Sequence, residues 1–301
     1  MLQMRILFIT SSRLAEAVIS CGVLEQLRKT YPKARITVAC GASAAGLFSR
    51  LPRLERVIVV GNGRSQDFPR LRLWLKLVSR FWDIAVDIRR SGITRLLLTG
   101  QNRIIPVHKT GLRYRELGEA MGFSPAPLPV TWTAAADHDE ADRRLPSGAN
   151  LIGLGPTAGS KRKIWPVEHY VETYRAIEKI LPECRPVIFA GASDTERLAA
   201  AAQASLPGAI MMPGTLTLSL LAACMSRLRL YIGNDTGLLH LAAAAGAPTL
   251  GLFGPTPIDE YAPAGRHAAA VAAPGPPGRA PMTGLTVETV LNALIPLLRG
   301  A

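Results

Sequence analysis

YIGNDTGLLHLAAAAGAPTLGLFGPT, residues 231–256, holds a strand, a helix and a second strand with almost nothing between them. RLYIG (229–233) is a short run rich in β-formers, and NDTG leaves it as a loop. LLHLAAAAG follows as a helix, stopped by Gly246 with Pro248 beyond, and TLGLF (249–253) returns to strand character. A strand joined through a helix to another strand is a βαβ unit, which implies a parallel sheet. Asp235, Thr236 and Gly237 sit directly ahead of the helix, and His240 lies one turn inside it. Asp235 or Thr236 can cap the first-turn amides. The same amides, at the positive end of the helix, can instead hold a phosphate; this loop alone leaves both open.

The alternation continues outward. LIGLG (151–155), a helix over 167–181, PVIFAG (186–191), a helix over 194–205 and a short element at 217–225 precede the quoted stretch. In the first half RILFIT (5–10), RITVAC (35–40), RVIVV (56–60) and DIAVDI (83–88) read as strands, with helices over 14–30, 43–50, 69–82 and 113–121. Between the halves PAPLPVTWTAAADHDEADRRLPSGAN (125–150) is rich in Pro, Ala and charge and sustains no strand period. The expectation is an α/β chain of two doubly wound, Rossmann-like domains with mainly parallel sheets, 1–145 (with a linker from about 125) and 146–301. Ligands of such sheets sit beyond the carboxyl ends of the strands, so a cleft across which the two domains face is the expected site.

At 301 residues and 48% hydrophobic composition the chain can fill two cores. No run reaches the roughly 18 to 20 uncharged apolar residues that span a bilayer. MLQMRILFIT has an arginine inside its short apolar run and no small-residue cleavage site, so it does not read as a signal peptide. Cys21, Cys40, Cys184 and Cys224 are isolated in apolar surroundings, which suits buried thiols of a cytosolic protein better than zinc or a disulfide framework. Asp137, His138 and Asp139 read as surface residues of the linker, and no metal is expected.

Charge is uneven. Residues 1–145 carry 23 Lys/Arg against 12 Asp/Glu, residues 146–301 carry 12 against 10, and between 50 and 115 there are 15 against 4. Such a field concentrates a polyanion, whether nucleic acid, anionic lipid head groups or a phosphorylated glycan; it also serves as a solubilising surface. No interleaved aromatic platform, helix-turn-helix, RRM or zinc-finger pattern accompanies it, so nucleic acid is not the expected partner. In RLRLWLKL (70–77) Arg70, Arg72 and Lys76 do not share one helical stripe, and Trp74 is expected to pack.

Two further loops resemble the first in kind. GLGPTAGSKRKIWPVEHY (153–170) places Thr157, Lys161, Arg162 and Lys163 between strand and helix, with Pro166 suited to the helix start. It has neither the GxxxxGK[ST] spacing nor the dinucleotide fingerprint. GLFGPTPIDEYAP (251–263) puts Gly254 and Thr256 where a bound group can approach the backbone. Three strand-end loops with amides, hydroxyls and lysines point to a phosphorylated ligand.

KIWPVEHY, the GASDTE loop (191–196) and NDTGLLHLAAAAGAPTLGLFGPTPIDEYAP closely resemble the ADP-heptose:lipopolysaccharide heptosyltransferase family, inverting transferases of GT-B architecture. SSRLAEAVISCGVLEQLRKTYPKARITVAC is similar to that family's opening strand and helix, and FWDIAVDIRRS to its WDxxxDxR-like segment. The resemblance implies an N-terminal acceptor-binding domain and a C-terminal nucleotide-sugar-binding domain. It implies transfer of heptose from ADP-heptose to the anionic inner core of lipopolysaccharide, without metal or cofactor. A monomer, cytoplasmic and peripheral at the cytosolic face of the inner membrane, is expected. The alternatives are a related transferase with another nucleotide sugar or anionic glycan acceptor, and a non-catalytic nucleotide- or nucleic-acid-binding protein.

The resemblance also assigns residues. Asp235, Thr236 and Gly237 match the DTG that meets the donor's pyrophosphate and sugar, with His240 nearby, and Asp235 is counted with the catalytic groups. Lys163 matches the lysine that neutralises donor phosphate, with Lys161 as a substitute and Thr157 in the same loop. Ser193 or Asp194 falls near ribose, Leu216 near adenine, and Thr256 supports the sugar or diphosphate pocket; a helix cap and a core leucine are the other readings of Ser193, Asp194 and Leu216. Arg64, Arg89, Arg90, Lys109, Arg113 and Arg115 are the acceptor candidates. One departure matters. Where the family has Gly-Asp after the first strand, its carboxylate the base, this chain has Ala15 and Glu16. Glu16 is the expected base; the other reading is a first-turn glutamate favoured by the helix end.

Overall fold

The computed structural model describes residues 3–61, 69–105, 111–191, 196–276 and 278–299. The chain divides into two compact units, Met1–Trp132 and Thr133–Ala301. The first contains β1 (Arg5–Ile9), α1 (Leu14–Thr30), β2 (Arg35–Cys40), α2 (Ala42–Ala45), β3 (Leu54–Val59), α3 (Pro69–Leu77), β4 (Trp82–Asp87), β5 (Thr99–Ile104) and α4 (Arg113–Ala120). Its strands pair in parallel in the order β3-β2-β1-β4-β5, so the order reverses between β1 and β4. Ile6, Leu7, Phe8 and Ile9 of β1 have no exposed surface, as the unbroken apolar run of a central parallel strand requires. TGQNRI was not expected to be a strand. It forms β5 at the sheet edge, where four of its six residues are exposed and polarity costs little. The helix expected over 69–82 stops at Leu77 because Trp82 opens β4, and that expected over 43–50 is α2 followed by a 3₁₀ turn at Gly46–Phe48.

The second unit contains α5 (Ala135–Arg144), β6 (Leu151–Gly155), α6 (Val167–Ile180), β7 (Arg185–Phe189), α7 (Glu196–Ser205), β8 (Ile210–Met212), α8 (Leu218–Met225), β9 (Leu230–Asn234), α9 (Gly237–Ala244), β10 (Thr249–Phe253), α10 (Ile258–Tyr261), β11 (Ala268–Ala272) and α11 (Val287–Arg299). All its strand pairs are parallel, in the order β11-β10-β9-β6-β7-β8, and the reversal falls between β6 and β9. Both units are therefore parallel-sheet, Rossmann-like domains.

Part of the segment that reads as linker is α5. Asp137, expected at the surface, is buried; its Oδ2 accepts from the Ala134 amide at 2.9 Å and its Oδ1 from the Ser219 hydroxyl at 3.2 Å. The carboxylate is drawn in because the first-turn amides need an acceptor. His138 and Asp139 are exposed. At the other end of the unit α11 buries Val290, Leu294 and Leu298 in the core.

The helix of the opening stretch ends as its sequence requires. Gly246 has φ +92°, its amide bonds the Ala243 carbonyl at 3.1 Å and the Ala247 amide bonds Ala242 at 3.1 Å. This closes a Schellman motif, in which the left-handed position favours glycine. The chain then turns directly into β10. The four cysteines are buried and free, and burial pushes the Cys40 and Cys224 thiols up to about 11.

Candidate active site

In the second unit the site is built where the strand order reverses, at the carboxyl ends of β6 and β9, the place where open parallel sheets bind ligands. Asn234, the last residue of β9, is fully buried. Its Oδ1 accepts from the Trp165 amide at 3.1 Å, and its Nδ2 donates to the Pro156 carbonyl at 3.0 Å. One side chain thus grips both ends of the loop leaving β6. Trp165, also fully buried, donates its indole N–H to the Leu285 carbonyl at 2.8 Å and anchors the far end further.

Between those pinned ends Lys161–Lys163 form a 3₁₀ turn. Lys163 Nζ donates to Asp235 Oδ2 at 2.6 Å, while Lys161 is exposed. Of the two lysines, Lys163 is the one that meets the acid. Asp235 is only 7% exposed, and His240 Nε2 lies 3.6 Å from its Oδ1. That separation is too long for a hydrogen bond, so the imidazole acts on Asp235 electrostatically. Burial pushes the Asp235 carboxyl up, but His240 and the Lys163 ammonium outweigh it and hold it down at about 2. His240 Nε2 is buried, with no hydrogen-bond partner among the described residues.

Asp235 is therefore engaged with Lys163, and Thr236, in the N-cap position of α9, makes no side-chain cap bond. The positive end of α9 is left without a side-chain acceptor beside an ammonium group. Such an arrangement can hold an anion with several oxygens. Gly237 and Thr236 are half-buried there. Thr157 is buried and its Oγ1 accepts from the Gly191 amide at 3.0 Å, fastening the exits of β6 and β7. Leu216 is half-buried in the connection from β8 to α8, and Thr256 is half-buried in the turn after β10. Ser193 and Asp194 lie outside the described residues.

Sequence reading missed Asn234 and Tyr231. A Cβ on Gly155 would stand 2.1 Å from the Tyr231 hydroxyl, so only glycine lets the tyrosine lie across the end of β6. That hydroxyl is buried, has no hydrogen-bond partner among the described residues, and its pKa is pushed up by burial. The available signals were the asparagine ahead of the DTG and the glycines at 153, 155 and 233 on two strands.

In the first unit the corresponding sheet end carries Glu16. It stands in the first turn of α1, and Ser11 Oγ donates to its Oε2 while accepting from the Arg13 amide at 3.1 Å. Arg13 Nη1 lies 3.6 Å from Oε1, and the Glu16 side chain is 36% exposed. These contacts orient the carboxylate and leave lone pairs on both oxygens to accept a proton. At the end of β4, buried Asp87 accepts from Ser91 Oγ at 2.8 Å and the Gly92 amide at 3.1 Å. It thereby closes the turn carrying Arg89 and Arg90, both exposed, with Arg90 at φ +55°. Arg89 is close enough to Cys40, at the end of β2, to counter part of the burial effect on its thiol. Arg113 pairs with Glu116 at 3.0 Å, and the Arg115 guanidinium lies over the Tyr114 ring at 5.8 Å; both are engaged on α4 itself. Arg64 and Lys109 lie outside the described residues. Among the described residues no group of three His, Cys, Asp or Glu side chains is placed to hold a metal ion.

Comparisons with known proteins give the family and the fold. The family model for glycosyltransferase family 9 (heptosyltransferase) matches residues 112–279. Lipopolysaccharide heptosyltransferase 2 of Salmonella typhimurium is 27% identical, over 89% of this chain and 87% of its own length. A solved glycosyl transferase family 9 structure from Veillonella parvula has a TM-score of 0.81 at 19% identity, covering 99% of this chain and 98% of that one. The E. coli ADP-heptose lps heptosyltransferase II structure has a TM-score of 0.77 at 22% identity, covering 99% of each. These two likenesses establish the fold as GT-B.

Proposed function

This chain belongs to glycosyltransferase family 9 and is a glycosyltransferase, and from that premise we propose that it transfers heptose from ADP-heptose to the inner core of lipopolysaccharide, inverting the anomeric centre. In this reading the second unit takes the nucleotide sugar and the first the anionic acceptor. The observation that carries it is the uncapped N-terminus of α9 beside Lys163, an anion site at the strand-order reversal of the second sheet. The heptose and lipopolysaccharide in the reading come from the names of the similar proteins.

The acceptor hydroxyl gives its proton to Glu16 as its oxygen bonds to the anomeric carbon. The bond from that carbon to the diphosphate oxygen breaks, and its electron pair leaves with ADP. Charge grows on the departing diphosphate, so Lys163 and the first-turn amides of α9 contribute most where they hold that charge more tightly than the ground state. An ammonium has three N–H donors, and the bond to Asp235 leaves two for phosphate oxygens. Asp235 keeps Lys163 in place and His240 backs Asp235. The arginines of the first unit face an anionic glycan, and the enzyme works at the cytosolic membrane face. Among the described residues no helix is long and apolar enough to cross a membrane.

Titration calorimetry with ADP on wild type and Lys163→Ala tests the donor site. Weakening by about 10- to 100-fold is expected for loss of one charge-assisted contact, and unchanged affinity would remove Lys163 from the site. A donor screen tests the reaction: turnover of ADP-heptose supports it, and turnover of another nucleotide sugar only would make this a related transferase and overturn the proposed donor.

A further inference from the structure

The first unit carries an apolar surface to which the proposed reaction assigns no role. On α3, Leu73 and Leu77 point into the core and are buried, while Leu71 and Leu75, one turn apart, are 51% and 58% exposed. The connection from β4 to β5 repeats the pattern: Ile93 and Leu97 are buried in the same core, while Leu96 and Leu98 are 70% and 66% exposed. The two elements touch, since the Trp74 indole N–H of α3 donates to the Leu96 carbonyl at 3.0 Å. Phe81, 52% exposed, precedes β4 as Leu98 precedes β5, and those strands pair Trp82 with Thr99. Water would ordinarily select polar residues at these outward positions; a grouped set of large exposed apolar side chains marks an interaction surface.

The surroundings say what covers it. Residues 69–83 and 93–99, which carry it, hold five basic side chains and one acidic. Arg80 pairs with Glu55 at 2.5 Å, and the acid, Asp83, accepts from the Arg5 amide at 2.7 Å. Arg72 and Lys76 alternate with the exposed leucines on α3, and Arg95 stands next to Leu96, all three exposed. Leucines ringed by cations match an interface where lipid tails lie beneath anionic head groups. A second copy pairing face to face would bring the same cations together. Deepening the proposed function, on whose membrane-face location it rests, we infer that this surface, Leu71, Leu75, Phe81, Leu96 and Leu98 with Lys76 and Arg95, docks the protein onto an anionic lipid bilayer.

Vesicle co-sedimentation of the full chain tests it without any turnover. Vesicles of phosphatidylglycerol and phosphatidylethanolamine, free of glycan, are compared with pure phosphatidylcholine. Wild type should partition at least about 10-fold more strongly onto the anionic vesicles. Both Leu71→Ser/Leu75→Ser/Leu96→Ser/Leu98→Ser and Lys76→Glu/Arg95→Glu should lose most of that binding while ADP affinity, set in the other unit, stays at wild type. Anionic-vesicle binding unchanged in the leucine variant overturns the inference. So does a wild type that dimerises in solution, with the leucine variant monomeric and equal vesicle binding, since that makes a second copy the occupant. Failure of transfer with vesicle binding intact would count against the proposed reaction and leave the docking surface standing.

Discussion

Replacing Asp235 with asparagine isolates the charge at the centre of the proposed donor site. The side chain keeps its size, and the bond from Lys163 at 2.6 Å is weakened to one with a neutral acceptor. The carboxyl is held at about 2 against an ordinary 3.8, and it is nearly fully buried, so solvent screening takes little from the effect. At 1.36 kcal/mol per pKa unit the depressed value corresponds to about 2 kcal/mol of folding stability at neutral pH. The sign follows from the direction. A carboxyl whose folded pKa is lowered stabilises the fold above its unfolded pKa and loses that contribution as pH falls through the folded one. The advantage of wild type over Asp235→Asn should thus be constant from pH 7 to 5, decline below about pH 4, and be roughly half gone at pH 3. Any cost of asparagine that does not depend on ionisation adds a constant offset and leaves this shape intact. Scanning calorimetry of both proteins at pH 7, 5, 4 and 3 reads it. A difference that stays flat down to pH 3, or is absent at pH 7, would refute the account of a charge held by Lys163 and His240.

Three further outcomes follow from the same geometry. Glu16→Gln should lower the transfer rate by about 10²- to 10⁴-fold with ADP affinity unchanged, and a rate equal to wild type would exclude Glu16 as the base. Glu16→Asp, shortened by one methylene, should fall between the two in the same single-turnover assay, because reach and Ser11 support are both reduced. Asn234→Ala removes both bonds that grip the loop leaving β6 and leaves two buried backbone groups unpaired, a loss of roughly 2 to 4 kcal/mol; ADP affinity should weaken alongside, and urea unfolding with calorimetry would show a faulty assignment as a stable variant that still binds normally.

Much of the fold was legible because parallel strands buried on both faces are written as unbroken apolar runs, as in RILFI and LIGLG. Local signals fixed helix ends as well, Gly246 being the plainest. What was missed lay where tertiary context outweighs pattern. TGQNRI is too polar to look like a strand until its edge position is known, and AADHDEADRR looked like linker because its one buried acid, Asp137, is called in by a helix end and by Ser219. The site shows the same division. Strand-end loops with lysine and DTG were visible, but nothing in one dimension says that Lys163 and Asp235, 72 residues apart, meet at 2.6 Å, or that Asn234 spans both ends of the loop between them. Resemblance ranks Lys163 ahead of Lys161 for donor phosphate; the structure shows Lys163 on Asp235 and Lys161 exposed.

The two sheets pin their strand-end turns with different chemistry, and the difference suits what each end is proposed to hold. Beside the donor loop the pin is Asn234, which donates to one carbonyl and accepts from one amide without adding charge. A carboxylate in its place would stand next to Asp235, lose the Pro156 bond and repel a diphosphate; the amide satisfies both backbone groups and leaves Lys163 and the end of α9 to set the local field. At the end of β4 the pin is Asp87, whose oxygen takes two donors from the turn carrying Arg89 and Arg90. There both turn donors fall on Oδ2, while Oδ1 is buried with no hydrogen-bond partner among the described residues, and the exposed guanidiniums of Arg89 and Arg90 supply the positive charge that the proposed anionic acceptor calls for. The same logic gives a place to the substituted base. Glu16 is one methylene longer than an aspartate, and Ser11 holds its carboxylate near the end of β1, so its reach is constrained by a bond within the loop. A carboxylate fixed in this way by a hydroxyl meets the positioning that the base proposed above requires.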